Sequence, residues 1–111
     1  PYKGDADAVR RAEGERLLAR VGPREKLVVL DERGDRLDTP AFAAMVDSGR
    51  QQGTVVFALG GPRGHDQRVR DAAWKVVRLS DLVLNHAVAR VVLIEQIYRA
   101  MSLLEGSPYH H

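Results

Sequence analysis

Apolar positions along the chain switch repeatedly between a helical and an extended rhythm. Asp5 or Asp7 can cap a helix in which Val9, Ala12, Leu17, Leu18 and Val21 form one apolar side, and Gly22-Pro23 predicts its end. Lys26 to Leu30 is a short apolar run of the kind a parallel sheet buries, closed by the turn-like stretch Asp31 to Asp35. Thr39 before Pro40 has the chemistry of an N-cap and a first helical residue, with Phe42, Met45 and Val46 on the buried side and Gly49 or Gly53 as the stop. A second strand is predicted over Thr54 to Leu59. After the turn Gly60-Gly61-Pro62-Arg63-Gly64 come a helix around Asp66 to Trp74 and a third strand at about Val76 to Leu79. Strands alternating with helices in this way predict the α/β class, a parallel sheet flanked by helices, with residues 1–111 as one domain.

The irregular stretch Ser80 to Asn85 leads into the most apolar helix, His86 to about Glu105. Val88, Val91, Val92, Leu93, Ile94, Ile97, Met101 and Leu104 cover more than one of its faces. A helix apolar over so wide an arc needs a partner besides its own sheet, and a second copy of the chain is the expected one. Glu95, Tyr98 and Arg99 interrupt that surface and are expected to satisfy one another as a polar network.

Composition narrows the possibilities. Cysteine is absent, which excludes a disulfide framework and a thiolate zinc site and is compatible with the cytoplasm. No uncharged apolar stretch is long enough to span a membrane, and the basic N-terminus lacks the apolar core of a signal peptide. Net charge is only +2, yet Arg63, Arg68, Arg70, Lys75 and Arg78 outnumber Asp66 and Asp71 between Gly61 and Arg78. That surplus could meet nucleic-acid phosphate, although from charge alone a solvated helix face is the favoured reading.

The glycine-rich turn between strand and helix lets a ligand approach backbone N–H groups. It lacks the G-x-G-x-x-G spacing and the Gly-Lys-Ser/Thr of a P-loop, so the turn alone leaves a structural bend and a cofactor loop both open. The loops at Leu30-Asp31, Gly60-Gly61 and Leu79 to Leu84 would all emerge at the carboxyl edge of one parallel sheet, where open α/β sheets bind ligands. Asp31, Glu32, Asp35 and Asp38 lack the spacing of a calcium loop and are expected to be a solvated turn. No histidine spacing suits zinc, and no metal is expected. His86 and His110 are candidate acid–base residues, although a lone histidine is more often structural. Gly106 and Pro108 stop the last helix ahead of the tail Tyr109-His110-His111.

Leu30-Asp-Glu-Arg-Gly34, Phe57-Ala-Leu-Gly-Gly-Pro-Arg-Gly64, Leu79-Ser-Asp-Leu-Val-Leu84, His86-Ala-Val-Ala-Arg90, Glu95-Gln-Ile-Tyr-Arg-Ala100 and Pro108-Tyr-His110 fall in one order and spacing. That ordered set resembles the RlmH family of SPOUT methyltransferases, and Lys3 to Leu18 is similar to the helix that follows the family's second strand. The resemblance implies a homodimer formed through the C-terminal helix, a C-terminal trefoil knot, and S-adenosyl-L-methionine bound bent among the knot loops. Leu30, Gly60, Leu79, Ser80, Asp81, Leu82, Val83 and Leu84 would line the cofactor pocket. The implied reaction is methylation at N3 of a pseudouridine in large-subunit ribosomal RNA, on the assembled ribosome, with His110 orienting or deprotonating the base and Tyr109 holding it. Family members begin with an additional strand, helix and strand, so about three core strands are expected here. A shortened relative that binds cofactor or RNA as a dimer without methylating is the alternative. Asn85 replaces the family's usual proline, a change expected to loosen the start of the last helix, and His111 stands in place of a terminal Arg or Lys.

Overall fold

The structure, a computed structural model, describes residues 3–60 and 65–106, with side chains from residue 7 onward. The elements in chain order are α1 (Lys3–Arg20), β1 (Glu25–Arg36), α2 (Thr39–Gln52), β2 (Thr54–Leu59), α3 (Gln67–Ala72), β3 (Lys75–Arg78) and α4 (His86–Leu104). The three strands form one parallel sheet in the order β2-β1-β3, so β1 is central and the β2–α3–β3 connection crosses over it.

Alternation along β1 distributes its side chains between two cores. Leu27 and Val29 join Ala58 and Val69 on the face covered by α1 and α3, with Leu17, Leu18 and Val21 packed against them. Val28 and Leu30 join Phe42, Met45, Val46, Val77, Leu93 and Ala100 on the face covered by α2 and α4. Both faces of the sheet are therefore dry, which is why β1 reads as a continuous apolar run. Val28 and Val29 are fully buried, and each contributes about 1.5–3 kcal/mol by leaving water. Phe42 of α2 stacks on Phe57 of β2 with ring centroids 6.0 Å apart, fixing the helix over the sheet.

Several local expectations are corrected. The run Asp31 to Asp35 does not end β1. Leu30 and Asp35 both pair with Val77, so residues 31–34 bulge away and the strand resumes at Asp35 and Arg36 beside β3. The N-cap of α2 is Asp38, whose carboxylate accepts from the Ala41 N–H at 2.9 Å, and not Thr39. The Thr39 hydroxyl instead donates to Gln96 Oε1 at 2.8 Å, tying α2 to α4. Asn85 does not loosen α4: its side-chain oxygen accepts from the N–H groups of Ala87 at 2.8 Å and Val88 at 3.2 Å, capping the helix. Among the described residues, no helix is long and apolar enough to cross a membrane.

Candidate functional site

The carboxyl ends of β2 and β3 and the middle of β1, where its bulge begins, open into one cavity of about 830 Å³, within the range typical of small-molecule sites. Leu30 ends the first half of β1, Leu59 and Gly60 end β2, and Arg78 and Leu79 end β3. The stretch from Ser80 to Asn85 and the first turn of α4 complete the wall. Of the expected cofactor residues, Leu30, Gly60, Leu79, Ser80, Leu82, Val83 and Leu84 all line this cavity. Asp81 does not: its carboxylate is drawn to Arg36 at 2.9 Å and Arg78 at 3.5 Å. Tyr109 and His110 lie outside the described residues, as do residues 61–64 of the glycine-rich turn.

Local hydrogen bonds shape the wall. The Ser80 hydroxyl accepts from the Leu82 N–H at 2.9 Å, bending the backbone after β3. Leu82 and Val83 are left 76% and 81% exposed, too apolar for a rim that meets only water. His86, the first residue of α4, places its ring Nδ1 2.9 Å from the Gly60 carbonyl oxygen, joining the end of β2 to the helix start. Gly34 brings the bulge close to β3; a Cβ there would meet the Val77 backbone at 2.6 Å, so only glycine fits.

Asp31, the first residue of the bulge, belongs with Arg70 and His65 to a polar group that the pattern along the chain does not assemble. Asp31 was expected to be solvated, but its side chain is only 4% exposed and lies 3.5 Å from the guanidinium of Arg70. Asp31 Oδ1 accepts from the Arg33 N–H at 2.9 Å, while Oδ2 has no hydrogen-bond partner among the described residues. Arg70 in turn donates to the His65 carbonyl at 2.6 Å and to Gln67 Oε1 at 2.5 Å. The buried His65 ring places Nε2 3.2 Å from the Ala58 carbonyl oxygen. Burial lowers the His65 pKa below its ordinary value, against the opposing effects of that hydrogen bond and the Asp31 charge. The position of Asp31 at the end of an apolar run was the available signal, because a strand's carboxyl end faces the ligand edge of the sheet. Nothing local marks His65, and the ion pair that sets Arg70 apart from the other cations joins it to Asp31, distant in sequence.

Among the described residues, the cations of the basic stretch face partners within the fold. Arg68 pairs with Asp66 at 3.1 Å and Glu15 at 3.2 Å, and Arg78 with Asp81. Desolvation opposes ionisation of Asp66, but its hydrogen bonds from Arg68 outweigh that and hold its pKa low. Lys75 lies over the Trp74 ring at 5.2 Å. Its phosphate-binding expectation is thereby weakened, because these cations already face partners. Among the described residues no group of three or more His, Asp or Glu side chains could hold a metal.

Residues 2–110 match the family described as "Predicted SPOUT methyltransferase". Three similar proteins, each named ribosomal RNA large subunit methyltransferase H, give the scale of the likeness. The one from Trichlorobacter lovleyi is 48% identical over 104 residues, covering 92% of this chain and 68% of the relative. Those from Geotalea daltonii and Geobacter metallireducens are 40% and 45% identical, covering 98% and 96% of this chain and 73% and 70% of their own lengths. With a three-stranded parallel sheet between helices and a cavity at its carboxyl edge, the chain belongs to the SPOUT methyltransferase family, in the RlmH group that these relatives represent.

Proposed function

We propose that the protein is an S-adenosyl-L-methionine-dependent methyltransferase of large-subunit ribosomal RNA, acting in the cytoplasm at N3 of a pseudouridine on the assembled ribosome. The observation that carries this reading is the convergence of Leu30, Gly60, Leu79 and the Ser80–Leu84 stretch, far apart in sequence, on one cavity. The donor set suits such a ligand. Leu30, Leu79, Leu82 and Leu84 offer apolar walls for an adenine ring, and backbone groups at Gly60 and along the Ser80–Leu84 stretch offer donors and acceptors for its edge. Glu32 and Arg33, both exposed on the cavity wall, supply charges of both signs for a zwitterionic amino-acid end.

When bound, the cofactor supplies an electrophilic methyl group on a sulfonium. The chain's task is to exclude water and hold the target nitrogen in line with that methyl, which is where most of the rate gain in such a transfer arises. The tail residues Tyr109 and His110 hold and orient the target base in this reading. The knotted threading of the family and a homodimer through α4 belong to it as well, the dimer being supported by the exposed Val88, Val91, Ile94 and Tyr98 on that helix.

The test has two steps: calorimetric titration of S-adenosyl-L-methionine into the purified protein, then incubation with pseudouridylated ribosomes and labelled cofactor. Saturable heat and label in large-subunit RNA are expected. No heat would overturn the cofactor reading. Heat without label would favour the alternative, a dimeric relative that binds cofactor or RNA but does not methylate.

A further inference from the structure

We propose that His86 is the catalytic base, taking the proton from the ring nitrogen as that nitrogen is methylated. The inference rests on the methyl-transfer reading above and adds the residue that completes it. Methylating a ring N–H requires the proton to leave, and a base beside the reacting atom contributes typically about 10²–10⁴-fold.

Few groups on the cavity wall can accept it. Among the described lining residues the ionisable ones are Asp31, Glu32, Arg33, Arg78 and His86. The two arginines are permanently protonated. Asp31 is buried and faces Arg70. Glu32 is exposed, and no hydrogen bond among the described residues fixes its carboxylate.

His86 has the arrangement a base needs. Its Nδ1 lies 2.9 Å from the Gly60 carbonyl oxygen, which can only accept, so Nδ1 carries the hydrogen. The lone pair is then on Nε2, which has no hydrogen-bond partner among the described residues. A base whose second nitrogen is tied to a fixed acceptor has its ring plane and tautomer set in advance. That acceptor is Gly60, itself on the cavity wall, so the base and the cofactor pocket are built on the same hydrogen bond. The step balances simply. The ring nitrogen forms its bond to the methyl carbon as the S–C bond breaks and leaves its pair on sulfur. The N–H proton passes to Nε2, and the exposed imidazolium returns it to solvent.

The tautomer is read first, on the unmodified protein: ¹⁵N-resolved NMR of the imidazole is expected to show His86 protonated at Nδ1, and protonation at Nε2 would overturn the proposal. The second measurement compares the parent with His86→Gln and His86→Ala, taking cofactor Kd by calorimetry and single-turnover methylation of pseudouridylated ribosomes. Glutamine keeps a donor for Gly60 without the basic lone pair. The expected result for His86→Gln is a Kd within about threefold of the parent and a turnover about 100-fold slower, with imidazole partly restoring His86→Ala. Unchanged turnover, or a loss matched by weakened cofactor binding, would overturn the base assignment. So would a full loss in His110→Gln beside normal turnover in His86→Gln. A parent that binds no cofactor would instead sink the reading on which this rests.

Discussion

His65 and Gly34 show how single residues constrain the strands next to their cavity-lining ends, one beside Ala58 of β2 and the other against Val77 of β3. Burial keeps the His65 ring neutral at pH values where an unfolded chain would protonate it, since its pKa is pushed below the ordinary 6.5. The unfolded state therefore binds more protons than the folded state just below that value, and stability falls as pH drops through that window. Above it both states are neutral and the group contributes no slope. Chemical denaturation at pH 7 and pH 5 is expected to show a lower midpoint at pH 5, and His65→Gln, which keeps a donor for the Ala58 carbonyl, should flatten part of that difference. An equal slope in the variant would remove His65 as the cause. At Gly34 the constraint is steric. A methyl group there would press on the Val77 backbone, which cannot rotate away, so Gly34→Ala is expected to cost about 1–3 kcal/mol in a thermal or urea melt. It should also disturb the bulge that carries Asp31 to the cavity, weakening cofactor binding beyond the loss in stability.

At the scale of elements, capping decides where the cavity wall ends. Asn85 satisfies two N–H groups at the start of α4, the helix whose first residue touches Gly60. Asn85→Ala is expected to lower stability by about 1 kcal/mol, measured by urea denaturation, whereas Asn85→Asp should keep the cap and lose far less. The elements themselves were largely legible in the sequence, because apolar runs such as Leu27 to Leu30 and stops such as Gly53 act locally. What escaped was set by partners distant along the chain. Asp31 looked like one of four solvated acids, and its burial follows only when α3 brings Arg70 against it. Thr39 looked like a cap, but its hydroxyl is used by Gln96 on α4 and the cap moved to Asp38. The cavity's outline was legible for the same reason as the strands: the ends of parallel strands share one edge, so Leu30, Gly60 and Leu79 had to meet there. Asp81 faces Arg36 and Arg78 and not the cavity, an arrangement set by a partner, Arg36, that is distant along the chain.

For the whole molecule the deciding feature is the outer side of α4. Its inner side, with Leu93, Ile97, Ala100 and Met101, packs into the core over the sheet. Its outer side presents Val88, Val91, Ile94 and Tyr98, between 49% and 67% exposed and spaced so that they form one stripe. Four large apolar side chains in a row are costly to hydrate, and a small domain with a three-stranded sheet gains proportionately more than a large one from covering them. A two-fold contact would bury the stripe against itself, since an isologous interface pairs the same patch on both copies. Glu95, within this face, is held by Arg99 at 2.7 Å and by Gln96 Nε2 at 2.8 Å, so its charge would enter such a contact already paired. Light scattering on the parent is accordingly expected to give twice the chain mass. Ile94→Glu places an unpaired carboxylate in the middle of the stripe and should shift the equilibrium to monomer by at least about tenfold, while circular dichroism stays that of the parent because the residue faces away from the core. A monomeric parent would leave the stripe without its proposed partner, and a variant that stays dimeric would place the interface on another face of the molecule.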